Sequence, residues 1–176
     1  MSERSNAPVT LGFLTVVQEP SGWVGGYLVT NSWGRPLEFR LTTAVQPNRV
    51  QTVLYGPTLT EYLHADLIGK TLIEKTAVKP DLIIADSSAT LGMRQRIDIL
   101  TVSLQPSGES VPDAISFTHA RSSVPLLLPR RFENDRTAIA ELLERVDSAV
   151  DLAESFARIR EAVIEARKMG VTSRAA

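Results

Sequence analysis

Asp86 follows the apolar run Leu82-Ile83-Ile84-Ala85, and Glu61 precedes it in the first turn of a helical stretch. A carboxylate just past the end of a buried strand sits at the edge where open α/β sheets bind ligands. There it can hold a metal or take a proton; it can equally cap the helical segment that follows. Two carboxylates are too few for two-metal phosphodiester chemistry, which needs several to hold both cations. The two histidines, His64 and His119, are not at metal-ligand spacing and read as surface or half-buried residues. There is no cysteine, which removes thiolate nucleophiles and thiolate metal sites. Gly22, Gly25, Gly26 and Gly34 fall in hairpins, not between a strand and a helix N-terminus, so no phosphate cradle or dinucleotide fingerprint is present. Gly25-Gly26 reads as a bulge or a close backbone approach. No metal and no cofactor is expected.

Two other groups point to binding. Arg94, Arg96, Arg130 and Arg131, with Arg121, form an anion site if the fold gathers them. Trp33 lies at a turn tip flanked by Arg35 and Arg40, the composition of an interface hot spot unless the ring folds back over its own hairpin.

The elements that must position these residues follow from patterning. Leu11–Val17, Trp23–Thr30 and Leu37–Thr42 read as three strands of an antiparallel meander, joined at Glu19-Pro20-Ser21-Gly22 and Asn31-Ser32-Trp33-Gly34. The first is apolar on both faces; in the third, Leu37, Phe39 and Leu41 should be buried and Glu38, Arg40 and Thr42 wet. Pro47–Tyr55 predicts a helix stopped at Gly56-Pro57, and a second helix runs to about Lys75. Leu82–Ala85 predicts a central strand parallel to one of the first, then a short helix from Ser87 or Ser88 to Arg96 and a strand over 97–104. Gln105 to Asp113 is a loop. Ala114–Thr118 and Val124–Leu128 read as edge strands, the second pairing poorly because of Pro125 and Pro129.

From Asp135 to Met169 there is no Gly or Pro, and apolar residues recur at spacings of three and four, among them Leu142, Val146, Phe156 and Val163. One helix of that length is about 50 Å long, against a diameter of roughly 35–40 Å for the preceding domain. An overhanging stripe predicts self-association through Leu142, Val146, Phe156 and Val163, unless the stripe covers the domain's own sheet. The fold class is therefore α+β, with α/β as the alternative: a meander, helix, buried strand and further strands over 9–134, and a long amphipathic helix over 135–169. Residues 1–8 and 170–176 read as loose ends.

Three antiparallel strands, a helical segment, a buried strand, a short helix and another strand resemble the opening of an RNase H-like fold. Tyr55-Gly56-Pro57 through Glu61, followed by Pro80-Asp81-Leu82-Ile83-Ile84-Ala85-Asp86, is similar to the endonuclease V branch of that fold. The resemblance covers about 35 residues and implies Glu61 and Asp86 as two metal-binding carboxylates. The acidic residue such nucleases need on the first strand is missing, because Leu11–Val17 contains none. Asn31–Arg40, Pro47–Gln51 and Leu54-Tyr55-Gly56 also resemble uncharacterised bacterial proteins, which implies no activity.

The 176 residues carry nineteen Lys and Arg against twenty Asp and Glu, a net charge of -1 that excludes a general polyanion coat. Hydrophobic residues make up 43%, enough for a core. No segment reaches the ~20 apolar residues of a membrane span, and no secretory pattern opens the chain. A cytoplasmic protein with no membrane partner is expected. The leading reading is a non-enzymatic interaction or regulatory module, a homodimer or the partner of another protein. The alternatives are a divergent RNase H-like nucleic-acid binder or nuclease using Glu61 and Asp86, and a small-ligand sensor with a pocket between the meander and the second helix.

Overall fold

The computed structural model describes residues 8–105 and 110–170; the expected loose ends and the centre of the 105–113 loop lie outside them, Pro8 and Gly170 excepted. Among the described residues, seven strands form one sheet in the order β3-β2-β1-β4-β5-β7-β6. The meander is β1 (Leu11–Glu19), β2 (Gly22–Thr30) and β3 (Pro36–Leu41), antiparallel throughout. β4 (Leu82–Ala85) lies parallel to β1, and β5 (Leu100–Leu104) parallel to β4. β7 (Leu126–Pro129) and β6 (Ala114–Phe117) close the other side antiparallel. This is the expected α+β class.

Helices cover both faces. α1 (Arg49–Tyr55) leads through a short turn into α2 (Leu59–Glu61), a π-helical segment (Tyr62–Gly69) and α3 (Lys70–Glu74). A 3-10 helix (Ser88–Gln95) follows β4, with the Ser87 hydroxyl accepting from Ala89 N as its cap. α4 (Asp135–Glu144) and α5 (Ser155–Lys168) lie on the opposite face. β1 is buried on both sides, as its double apolar pattern requires. Phe13 packs with Leu28, Ile84, Phe156, Ile159 and Val163. Leu14 packs with Tyr27, Ile68, Leu72, Ile83 and Met93. Glycine lets both helical layers approach β2: a Cβ on Gly25 would overlap Ile68 Cγ2, and one on Gly26 would sit 2.8 Å from Ile159 Cγ2. No helix among the described residues is long and apolar enough to cross a membrane.

The single helix expected over 135–169 is two helices. Asp147 and Asp151 divide it, because their carboxylates take backbone N–H groups that a helix would have to satisfy internally. Asp147 Oδ1 accepts from Ala149 N at 2.9 Å. Asp151 Oδ1 accepts from Ala153 N and from Ser123 N, both at 3.1 Å, and Oδ2 accepts from the Ser123 hydroxyl at 2.9 Å. α5 alone is roughly 20 Å long, so nothing overhangs. Val146, Phe156 and Val163 are buried in this chain's own core, and Leu142 packs at its margin. The expected self-association surface on this stripe is thereby withdrawn.

Two strand expectations are also corrected. β7 is an interior strand paired with both β5 and β6: Pro125 precedes it, and Pro129 is its last residue, opposite Ala114 of β6 and beyond the residues that pair with β5. On β3 the burial expected at Leu37, Glu38 and Phe39 is reversed, while Leu41 packs at the core's margin. Leu37 and Phe39 are 48% and 38% exposed, while the Glu38 side chain is only 13% exposed. β3 is an edge strand, and α5 lies chiefly over β1 and β2.

Candidate functional site

The parallel register of β1 and β4 sets Leu14 opposite Ala85 and brings the next residues, Thr15 and Asp86, together at the C-terminal edge of the pair. The Thr15 hydroxyl donates to Asp86 Oδ2 at 2.7 Å, and Arg160 of α5 forms an ion pair with the same oxygen. The position beside Asp86 on the first strand is thus a hydroxyl, and the carboxylate's charge is met by a guanidinium. Glu61 is half exposed on the other helical layer, with Arg96 at 3.8 Å. Arg96 also pairs with Asp66 of the π-helical segment. Asp86 and Glu61 are therefore each answered by a different arginine. Among the described residues no group of three or more His, Asp or Glu is placed to hold a metal ion.

His64 lies in the π-helical segment and is 5% exposed, more buried than its sequence context suggested. Its ring meets Trp23 edge-on at 5.5 Å, and neither ring nitrogen has a hydrogen-bond partner. Burial holds its pKa below the usual histidine value, with the Asp86 charge opposing in part, so the ring is neutral at pH 7. His119 is a tether: Nε2 meets Glu144 Oε1 at 2.9 Å and Nδ1 accepts from Arg121 N at 3.1 Å.

Three of the four predicted anion-binding arginines do converge. Arg94, Arg96 and Arg131 line a cavity of about 420 Å³ with Gln95, Asp98 and Phe132. Arg94 stacks over the Phe132 ring at 4.4 Å, and its Nε donates to Asp135 Oδ2 at 2.7 Å. Arg131 donates to Gln95 Oε1 at 3.2 Å. Arg130 is the neighbouring exposed residue in the chain. Arg121 lies elsewhere, its carbonyl accepting from Leu152 N. Carboxylates meet Arg94 and Arg96, so the patch is far less basic than its arginine count.

The Trp33 turn forms as its sequence predicts. Asn31 Oδ1 accepts from Trp33 N and Arg35 N, both at 3.0 Å. Arg158 donates to Gly34 O at 3.1 Å, and Asp147 N donates to Ser32 O at 2.9 Å, so the tip is anchored on both sides. The Trp33 ring itself is 66% exposed, with Arg35 exposed beside it. Arg40 is not part of that group. Its Nε donates to Glu38 Oε1 at 2.7 Å on the opposite face of the sheet. Glu38 also accepts from Ala77 N and Val78 N at 3.1 and 3.0 Å. Burial pushes its pKa up, but these N–H groups and Arg40 outweigh that and hold the carboxyl below the usual range.

One feature was not singled out from the sequence: α1 is closed by a reciprocal cap between Asn48 and Gln51, yet has no buried residue. Val50, Val53 and Leu54 are 66%, 71% and 79% exposed. Their i, i+3, i+4 spacing was legible; that no layer covers them was not. A groove of about 430 Å³ does lie between the meander and the second helical stretch, lined by Phe39, Arg40, Leu67, Ile68, Leu72 and Lys75 among others. Neither a family model nor a curated protein matches the chain.

Proposed function

We propose that the protein works by contact with another protein chain, as a non-enzymatic interaction module. The observation that carries this reading is α1. A helix closed at its start by a reciprocal cap and presenting Val50, Val53 and Leu54 to solvent is a surface that contact with a partner would bury. The anchored, exposed Trp33 adds a second apolar contact point. The pairing of Asp86 with Thr15 and Arg160 speaks for a structural carboxylate at the place where a ligand site would form. The test compares affinity capture from the protein's own cells by wild-type bait and by Val53→Asp/Leu54→Asp bait. A partner held by the first and lost by the second is the expected result. Equal capture by both contradicts the reading.

Two further readings have specific support. The groove between β3 and α3 suits the small-ligand sensor, since apolar Leu67, Ile68 and Leu72 lie there with Lys75. A ligand retained in native mass spectrometry would establish it, and a bare chain would count against it. The order β3-β2-β1-β4-β5, with β4 and β5 parallel to β1, favours the RNase H-like resemblance and so a divergent nucleic-acid binder. Unchanged affinity for oligonucleotides in Arg130→Glu/Arg131→Glu would remove that reading.

A further inference from the structure

We propose that β3 is a homodimer interface: two copies of this chain pair their β3 edges antiparallel about a twofold axis through Phe39, joining two sheets into one. The inference rests on the reading of the protein as an interaction module and names its partner as a second copy.

The backbone is phased for it. Thr42 N donates to Gly25 O at 3.0 Å, continuing the register in which Leu41 faces Gly26. Thr42 is therefore in a hydrogen-bonded pair with β2, and so, by alternation, are Arg40 and Glu38. Leu37, Phe39 and Leu41 direct their N–H and C=O groups away from β2, toward the open edge. Among the described residues, β2 is the one element packed closely along β3. Natural edge strands are usually blunted by proline, bulges or charges that defeat pairing. Here Pro36 stands only at the first position, and the irregularity in register lies at Val29/Thr30, outside the run 37–41.

The sequence of that run is complementary to itself. A twofold axis at Phe39 sets Phe39 opposite Phe39 of the second copy, Leu37 opposite its Leu41, and Glu38 opposite its Arg40. The outward-facing residues Leu37, Phe39 and Leu41 then supply the hydrogen-bonded pairs. Glu38 and Arg40 fall in the non-hydrogen-bonded pairs, where facing side chains are closest. Each Glu38 already holds the Arg40 of its own chain at 2.7 Å, so pairing builds four charges of alternating sign. On the other face, Leu37 and Phe39, now partly exposed, gain apolar neighbours. A one-residue slip would set Leu37 opposite Arg40 and Glu38 opposite Phe39, losing both the charge pairs and the apolar ones.

Sedimentation velocity on the full chain, from roughly 1 to 100 µM, covers any dimer of micromolar affinity. Wild type should sediment as two 19.3-kDa chains at the upper end. Arg40→Glu places like charges opposite each other twice per interface, and Phe39→Asp places two carboxylates on the axis. Each should raise the dissociation constant about tenfold or more and keep its far-UV circular dichroism. Equimolar Arg40→Glu and Glu38→Arg should recover a heterodimer. Because Glu38 also holds Ala77 and Val78, a misfolded Glu38→Arg leaves the decision to Arg40→Glu and Phe39→Asp. A wild-type monomer at 100 µM overturns the dimer and leaves the α1 reading standing. So does a dimer that survives both variants but is lost in Val53→Asp/Leu54→Asp. Loss of the dimer in Arg40→Glu and Phe39→Asp alone supports the β3 interface.

Discussion

Replacing Phe156 by alanine separates a helix that belongs to its own core from one that belongs to an interface. Phe156 is 1% exposed, packed in the cluster that holds Phe13, Ile84 and Ile139. Its ring meets Phe13 edge-on, with centroids 5.7 Å apart and planes at 79°. Phe→Ala at such a site removes transfer energy and leaves a cavity, together costing about 3–5 kcal/mol. The edge-to-face contact supplies roughly 0.5–1.5 kcal/mol of that. In a chain of this length a melting midpoint moves about 2–4 °C per kcal/mol, so the drop should be roughly 6–20 °C. Thermal melts give the drop and urea denaturation gives the free-energy loss, both followed by circular dichroism at two protein concentrations. The loss should be independent of concentration, because Phe156 packs within one chain. A loss below about 1 kcal/mol, accompanied by a shift from dimer to monomer, would return the stripe to an intermolecular role and refute the packing argument.

Three other perturbations follow from single contacts. His64 has a folded pKa below its unfolded value, so its contribution is complete above about pH 6.5 and is lost as pH falls toward the folded pKa. Stability measured between about pH 7 and pH 5 should therefore decline less in His64→Leu than in wild type; parallel profiles would contradict this. Gly25→Ala drives a methyl group into Ile68 and should destabilise by roughly 1–3 kcal/mol, against a negligible change if the helix can recede. Burial raises the Asp151 pKa, but the N–H groups of Ser123 and Ala153 and the Ser123 hydroxyl outweigh it and hold the carboxyl low. Asp151→Ala should cost about 1–3 kcal/mol at pH 7. The difference from wild type should shrink as pH falls below about 3.9; an undiminished difference would mean the carboxylate's charge is not involved.

Most of the sheet was legible in local pattern. Leu82–Ala85, apolar at every position, marked a strand covered on both faces, and Asn31 to Gly34 marked the turn that presents Trp33. What the pattern hid was the outcome of competition. Asp147 and Asp151 are each compatible with a helix, and only their partners at Ser32 and Ser123 decide against one. Leu37 and Phe39 alternate as buried residues do, but which strand ends a sheet depends on how far α5 reaches. The candidate site divides the same way. That Asp86 would stand at a strand end was readable, whereas its pairing with Arg160, 74 residues away, was not. The exposed stripe of α1 was readable as a stripe and not as exposed, because exposure depends on what the other layers leave uncovered.

A photo-reactive amino acid placed at Leu54, with a second chain carrying it at exposed Glu161 as the control, tests the account most directly in living cells. Contact through α1 predicts a crosslinked protein adduct of defined mass from position 54, and little or none from position 161. No adduct at 54 above the level at 161, in cells that express the protein normally, would contradict a function carried by that surface.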